Sequence, residues 1–411
     1  MKFNINKKQF SIFTLLALLA VSIGFAAASI VFKNSHSGVS ANNQIITQNS
    51  GSTPSGNIAD VENCMQKPED ERQKCMDDFM VEYFKGRTTK QVLADIEIAR
   101  SQSSTIENDC HPIVHAVGRE TYKLTGNIGD AFQACDQTCH SGCYHGVMER
   151  LFYSDQELGS NYSHLTYEDM KEKIPGICDK DKFKDPSNAV IFQCLHGVGH
   201  AILYTLDYNL DDSLKSCDLF PTGYDRSSCY GGVIMENVTA FDKKKRDLKA
   251  DDPLYPCDRL DNKYKSDCYL MQTSVMSEYG LDSTAVAAEC NKTGDYKGQC
   301  FVSMGRDLSN YVRVGNIDFV VEACEQTAGE NWQSCIDGAL YALVDNTWDL
   351  SFAYQLCDGL KVQEHVSTCY RDSSNYYMGS YTKTSEDVRN ACRSFSKRNQ
   401  DLCLSLAPNN N

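Results

Sequence analysis

The sequence carries little positive charge for its length. Its 411 residues include 40 Lys and Arg against 55 Asp and Glu, so the formal net charge is −15. The longest cationic run is Lys-Lys-Lys-Arg at residues 243–246. Proteins bind nucleic acid through clustered cations that displace counterions from the phosphates. This composition therefore excludes nucleic acid as a partner.

Two signatures of common chemistry are also missing. The sequence has no Gly-x-Ser-x-Gly turn, so it does not indicate an α/β-hydrolase. Cys135 and Cys139, the latter followed by His140, are separated by three residues, whereas covalent haem attachment requires a spacing of two. Disulfide bonds explain these cysteines more simply.

Cysteine, in contrast, is abundant. The chain has 20 Cys, an even number, which is typical of a disulfide framework formed in an oxidising compartment. Hydrophobic residues make up 41% of the chain, which is enough to build a folded core. A wholly disordered chain is therefore excluded.

The first 32 residues predict a membrane anchor. Residues 1–9 contain three lysines, and residues 10–32 form an uncharged apolar run. A helix that spans a bilayer needs about 20 apolar residues, and positive charge before it keeps the N-terminus in the cytoplasm. We therefore predict a single-pass protein of the cell membrane, tethered through this N-terminal transmembrane helix, with the bulk of the chain extracytoplasmic.

A cleaved signal peptide is the alternative interpretation of the same segment. Residues 26–28 are Ala-Ala-Ala, and small residues of this kind precede signal cleavage sites. The protein would then be secreted. Residues 33–58, which are rich in Ser, Asn and Gly, predict a flexible linker in either case.

The cysteine positions indicate a repeated unit. Six successive pairs begin at residues 217, 257, 290, 324, 357 and 392, a period of about 34 residues that is typical of stacked supersecondary units. Apolar residues within a unit have helical spacing, as in residues 335–344, and Gly-Asn or Asp-rich clusters separate the helical segments. We interpret each unit as a helical hairpin, with one cysteine near the end of the first helix and its partner near the start of the second.

This pattern predicts an all-α fold over residues 59–408, followed by a short tail at 409–411. The disulfide-linked hairpins would form an α-solenoid or a closed α/α ring. Every cysteine has a partner under this rule, although sequence alone leaves the connectivity around residues 110–143 open. The predicted pairs are Cys64–Cys75, Cys110–Cys139, Cys135–Cys143, Cys178–Cys194, Cys217–Cys229, Cys257–Cys268, Cys290–Cys300, Cys324–Cys335, Cys357–Cys369 and Cys392–Cys403.

Histidine is concentrated in the N-terminal half of this domain, within residues 107–240. His115, His145 and His196 occupy the same position in three aligned units, whereas later units place residues such as Leu270 and Val302 there. The histidines therefore mark a local site and are not required by the repeat itself. Residues four positions apart share one helix face, so three two-residue chelates are predicted: His111 with His115, His145 with Glu149, and His196 with His200.

These pairs predict a His/Glu metal site on the inner face of the N-terminal half. Its candidate ligands are His111, His115, His145, Glu149, His196 and His200. Imidazole and carboxylate together suit zinc, iron, copper or manganese, and an open coordination position would allow hydrolytic or oxidative chemistry. Glu149 is the candidate catalytic residue, as a ligand or as a general base.

A non-enzymatic scaffold is the alternative function. Its concave face would bind an envelope protein or a glycan, and its histidines would then point into packed interior or away from one another. Glu120 and Glu236 fall one position outside the ligand register and are interpreted as ordinary polar residues. Arg119 is interpreted as a packing or surface residue, with the binding of an anionic substrate group as the other option.

Overall fold

The computed structural model describes residues 56–152, 165–184 and 186–408. Within these ranges the regular structure is helical and contains no strand, as predicted. Several short 3-10 turns and one π turn connect the α-helices. The α-helices are α1 (Glu62–Met65), α2 (Glu69–Tyr83), α3 (Thr89–Arg100), α4 (Ser104–Asn108), α5 (Cys110–Thr125), α6 (Ile128–Ala134), α7 (Thr138–Phe152), α8 (Tyr167–Lys173), α9 (Asn188–Thr205), α10 (Leu210–Cys217), α11 (Gly223–Thr239), α12 (Asn262–Tyr269), α13 (Gln272–Glu278), α14 (Ser283–Cys290), α15 (Lys297–Arg313), α16 (Ile317–Glu322), α17 (Trp332–Thr347), α18 (Ser351–Gly359), α19 (Gln363–Tyr381), α20 (Ser385–Phe395) and α21 (Gln400–Leu406).

Local sequence signals set the boundaries of these helices. The Gly-Asn pairs that were predicted to separate helices do so between α5 and α6. Gly126 ends α5 in the left-handed conformation, with φ of 72°, which a residue without a Cβ adopts most easily. Asn127 then accepts a hydrogen bond from the backbone N–H of Asp130 at 2.8 Å and caps α6.

All 20 cysteines are paired, and the ten pairs are those predicted from the spacing. In the regular units the bridge joins the end of a short helix to the beginning of the next long one. Cys217, at the end of α10, is bonded to Cys229 in α11, and Cys290, at the end of α14, is bonded to Cys300 in α15. Around residues 110–143, where the sequence left the pairing of the cysteines open, the bridges are Cys110–Cys139 and Cys135–Cys143. So many bridges fit an oxidising, extracytoplasmic environment.

The long helices pack against one another in chain order. Helix α5 contacts α7, α7 contacts α9, and α9 contacts α11. Glycine permits the closest of these approaches, because a Cβ at Gly146 of α7 would overlap the carbonyl oxygen of His115 in α5. The reciprocal position, Gly118 in α5, faces the carbonyl oxygen of Cys143 in the same way. These contacts bring the backbones that carry the histidines close together.

The C-terminal half also reaches the N-terminal half. Helix α17 packs against α7, and α19 packs against α9. Tyr144 stacks with Trp348 at a centroid distance of 6.3 Å, and Arg313 lies 3.2 Å from Glu107. The prediction that the units form a solenoid or a ring stays a prediction.

The predicted anchor lies outside the described residues, as do most of the linker at 33–58 and the tail at 409–411. Among the helices from residue 56 to residue 408, none has the length and apolar character needed to cross a bilayer.

Candidate metal centre

Five of the predicted histidines form one cluster between three neighbouring helices. Helix α5 supplies His111 and His115, α7 supplies His145, and α9 supplies His196 and His200. Their rings form a continuous series, with centroids 4.6 Å apart for His111 and His115 and 4.7 Å apart for His145 and His200. Four of the five side chains are buried, and His111 is partly exposed. The helical spacing predicted from the sequence therefore brings the rings together.

His145 lies in the middle of this cluster. One of its ring nitrogens lies within 4.8 Å of nitrogens of His111 and His115, and one lies within 4.8 Å of nitrogens of His196 and His200. A third group with the same spacing combines His115, His200 and a carboxylate oxygen of Glu149. Metal–nitrogen bonds are about 2.0–2.1 Å long, so ligand atoms at such separations can share an ion after small side-chain movements.

The Nε2 atoms of the two histidines of α5 face each other. His111 Nδ1 donates to the carbonyl oxygen of Cys139 at 2.9 Å, and His115 Nδ1 donates to Glu149 Oε1 at 2.6 Å. Each acceptor oxygen fixes the proton of its imidazole on Nδ1, because neither a carbonyl nor a carboxylate can donate. The two Nε2 atoms lie 3.0 Å apart, and each carries a lone pair when its ring is neutral.

The rings of His145 and His200 show the same division between an outer and an inner nitrogen. His200 Nδ1 donates to Glu236 at 2.8 Å, and His145 Nε2 lies 2.9 Å from the side-chain oxygen of Gln193. The remaining nitrogens, His200 Nε2 and His145 Nδ1, are buried and have no hydrogen-bond partner within the described ranges. Metal-binding histidines characteristically donate one ring N–H to an oxygen and turn the other nitrogen to the metal.

A turn of unusual backbone conformation supplies the acceptor for His111. Cys139, His140 and Ser141, at the start of α7, have φ values of 51°, 57° and 63°. Residues with a Cβ adopt this left-handed region at a cost of about 1–3 kcal/mol each, and such residues cluster at functional sites. The carbonyl oxygen of Cys139 in this turn accepts the hydrogen bond from His111, so the turn helps to orient a ring of the cluster.

The cluster favours neutral imidazoles. Burial lowers the pKa of His145 well below its ordinary value of 6.5, and the neighbouring His200 and His196 lower it further. The pKa values of His111 and His196 are lowered in the same direction, again mainly by burial. A neutral imidazole has a free lone pair and is the form that binds metals.

Glu149 is held between a histidine and an arginine. One oxygen accepts the hydrogen bond from His115, and the other is paired with Arg119, which also binds Asp77 at 2.7 Å. Burial acts to raise the pKa of Glu149, but His115 and Arg119 outweigh it and hold that pKa below its ordinary value. The carboxylate is therefore ionised and orients His115. Its role as a ligand or a general base stays a prediction.

Three residues of the site were missed by the analysis of the sequence. Glu236 was interpreted as an ordinary polar residue, but it binds His200 and accepts a hydrogen bond from Tyr208 at 2.9 Å. Asp77 comes from α2, far from the histidines in sequence, and the surrounding sequence does not mark it. Gln193 could have been predicted from the sequence, because it is a polar residue three positions before His196 in the apolar helix α9.

This donor set is rich in imidazole and holds one carboxylate within reach. Imidazole suits zinc, copper, iron and nickel, and a carboxylate widens the range toward manganese. Such residues could hold a metal ion, and the ion would supply Lewis acidity or redox chemistry there. Comparisons with protein-family models, curated proteins and solved structures find no match to this chain.

Proposed function

We propose that this protein is an extracytoplasmic metal-binding protein whose metal is held by the histidine cluster of α5, α7 and α9. The observation that carries the proposal is the pair of facing nitrogens in α5. His111 Nε2 and His115 Nε2 lie 3.0 Å apart, while the Nδ1 atom of each ring donates to an oxygen. Two lone pairs at this distance repel each other unless a cation lies between or beside them.

A metal ion bound by both rings accounts for this geometry. Two nitrogens bound to one metal at about 2.1 Å, with angles of roughly 90–110° between the bonds, lie about 3.0–3.4 Å apart. The lowered pKa of His111, caused mainly by burial, disfavours a proton on the Nε2 atom of that ring. A nitrogen of His145 lies within 4.8 Å of nitrogens of His111 and His115, and a nitrogen of His200 lies within 4.8 Å of one of His115.

We further propose that the bound metal supports hydrolytic or oxidative chemistry, and that the metal is zinc, iron, copper or manganese. Glu149 is the candidate acid–base group, because its ionised carboxylate lies beside the His115 ring. A metal centre with an open position can activate water or oxygen. The residues of this chain would bind the ion, orient the imidazoles through their outer hydrogen bonds and keep Glu149 ionised.

Elemental analysis of untagged protein tests the proposal. We expect stoichiometric metal in the native chain and loss of most of it in a His145→Ala/His196→Ala variant. His365→Ala is the matched control, because His365 pairs with Glu325 at 2.8 Å far outside the cluster. It should keep its metal. Equal and negligible metal in all three proteins would refute the proposal.

We also propose the membrane tether and the stacked array as the setting of this centre. The apolar run at residues 10–32 after a lysine-containing segment supports the tether. The contacts of α17 with α7 and of α19 with α9 favour the ring over an open solenoid. Fractionation of cells that express the full chain, with and without residues 10–32, tests the tether.

If the protein were only a scaffold, its histidine side chains would lie apart from one another. The ring centroids of neighbouring members of the cluster, such as His145 and His196 at 5.0 Å, do not favour it. A binding partner on the outer surface is compatible with a metal centre inside, but no feature of the described surface selects one.

A further inference from the structure

A cavity of about 370 Å³ lies against the histidine cluster. Helices α7 and α9 form part of its wall, including His145 and His196, and the rest comes from α11, α12, the connection after α12, α15 and α17. Its volume falls within the range of about 300–1,000 Å³ that small-molecule sites occupy. The cavity therefore has the size and position of a substrate pocket beside the proposed metal.

The repeat explains why this cavity meets the histidines. The position occupied by His145 in α7 and His196 in α9 is occupied by Gly231 in α11, and then by Leu270 and Val302. All five residues line the cavity. The same face of successive units thus changes from imidazole, through a residue without a side chain, to apolar side chains.

Gly231 leaves a gap beside His196. A Cβ at this position would lie 3.3 Å from His196 Nδ1, closer than ordinary van der Waals contact. His196 Nδ1 has no hydrogen-bond partner in the described structure, and its residue is only 5% exposed. The missing side chain thus leaves space between the cavity and an imidazole of the cluster.

The wall of the cavity is mainly apolar and aromatic. Phe192 stacks on His196 at a centroid distance of 5.2 Å, and Met235, Leu270 and Val302 add aliphatic surface. A flat ring would find both aromatic and aliphatic contacts there.

The charged groups of the wall already have partners. Arg306, the guanidinium of the lining, is paired with Asp307 at 2.7 Å. Asp267 accepts a hydrogen bond from Ser227 at 2.5 Å, and Asp345 accepts one from Tyr381 at 2.6 Å. The two carboxyl groups would repel an anion, and a metal ion at the histidines would repel a cation.

We propose that this cavity binds an uncharged, largely apolar small molecule with an aromatic ring, and that the gap at Gly231 lets one end of that molecule reach the histidine cluster. The claim about the cavity stands by itself. The claim that its ligand meets a metal rests on the proposed function.

A pair of fluorescent probes tests the cavity. N-phenylnaphthylamine is uncharged, and anilinonaphthalenesulfonate has the same rings with an added anionic group. We expect saturable binding of one uncharged probe per chain, with the sulfonate bound about tenfold or more weakly. Val302→Phe and Leu270→Phe, which each add volume to the wall, should weaken the uncharged probe about tenfold or more. Equal affinity for the two probes, or unchanged binding in both variants, would overturn the claim.

Cobalt(II)-loaded protein tests the opening at Gly231. Phenylimidazole, an uncharged aromatic molecule with a donor nitrogen, should change the visible cobalt spectrum. Gly231→Ala should weaken this response about tenfold, and alanine is the better helix former, so unfolding is not expected. Gly379→Ala is the matched control, because a Cβ in that helical position meets no atom within 4 Å.

The two failures are distinguishable. If the chain does not retain cobalt, the proposed function fails and the probe titration still decides the cavity. If cobalt is retained but phenylimidazole leaves its spectrum unchanged, the metal site stands and the proposed opening is wrong.

Discussion

The carboxylate of Glu149 accepts a hydrogen bond from His115 Nδ1 at 2.6 Å and so fixes the proton of that ring on its outer nitrogen. The inner nitrogen, Nε2, is thereby the one that a metal can reach. This relationship joins α7 to α5 and links the charge of a buried carboxylate to the metal-binding capacity of an imidazole. A substitution of Glu149 should therefore change the metal affinity.

We predict that Glu149→Gln weakens metal binding about 10–100-fold, as loss of an orienting partner commonly does. The amide can still accept from His115, but it no longer places a negative charge beside the ring to attract the metal cation. Competition with a chelator measures the affinity. Glu325→Gln, which alters the corresponding pair with His365, should leave the affinity unchanged. Equal effects in both variants would contradict the assignment.

Arg119→Met should destabilise the folded chain by about 3 kcal/mol, because removing one partner leaves buried charge uncompensated. Arg119 is 5% exposed and lies between Glu149 and Asp77. The urea midpoint of metal-free protein measures the change. Arg393→Met should leave the midpoint unchanged, since its pair with Glu386 is solvent-exposed. An unchanged urea midpoint in Arg119→Met would show that the ion pairs of Arg119 with Glu149 and Asp77 do not stabilise the fold.

The metal-free protein should lose stability as the pH falls below about 6.5. Burial lowers the folded-state pKa of His111, His145 and His196 below that ordinary value. Below pH 6.5 the unfolded chain therefore binds more protons than the folded chain, and stability falls. The contribution is fully present above the ordinary pKa.

Several buried acids act in the opposite direction over part of this range. Burial raises the pKa of Asp337 to about 7 and the pKa values of Asp267 and Asp345 to about 6, so each favours the folded chain as the pH falls. The measurement is therefore a difference between the native chain and His145→Gln/His196→Gln, which keeps these acids. The variant should lose less stability between about pH 7.5 and 5. Parallel profiles would contradict the prediction.

The bridge between Cys110 and Cys139 should affect the metal as well as the fold. Removing it with two alanines should cost about 2–4 kcal/mol and also weaken metal binding, because the Cys139 carbonyl orients His111. Removing Cys392–Cys403, which lies near the C-terminal end, should lower stability and leave metal affinity intact. Unfolding midpoints and chelator competition separate the two effects. Equal metal affinity in both variants would count against a role for the turn.

Much of the fold could be predicted because the cysteines report the repeat directly. A bridge such as Cys217–Cys229 follows from local spacing, and helical periodicity places the histidines on one face. The histidine cluster follows from the register of His115, His145 and His196. These features depend on short distances along the chain.

The parts that escaped prediction depend on contacts between distant segments. Asp77 reaches Arg119 from α2 across 42 positions, and no local pattern marks that approach. Glu236 lies one position outside the ligand register, yet it binds His200 across the contact between α9 and α11. The cavity beyond Gly231 is lined by six helices, so it is visible only once the helices are packed.

Anomalous X-ray diffraction from crystals of untagged protein, grown with its native metal, would show whether a metal lies between His111 and His115. We expect an anomalous peak within bonding distance of His111 Nε2 and His115 Nε2, with further donors from His145 or His200. Crystals that show the two rings still facing each other at this distance, with no anomalous peak beside them in protein supplied with each of the four metals, would contradict it.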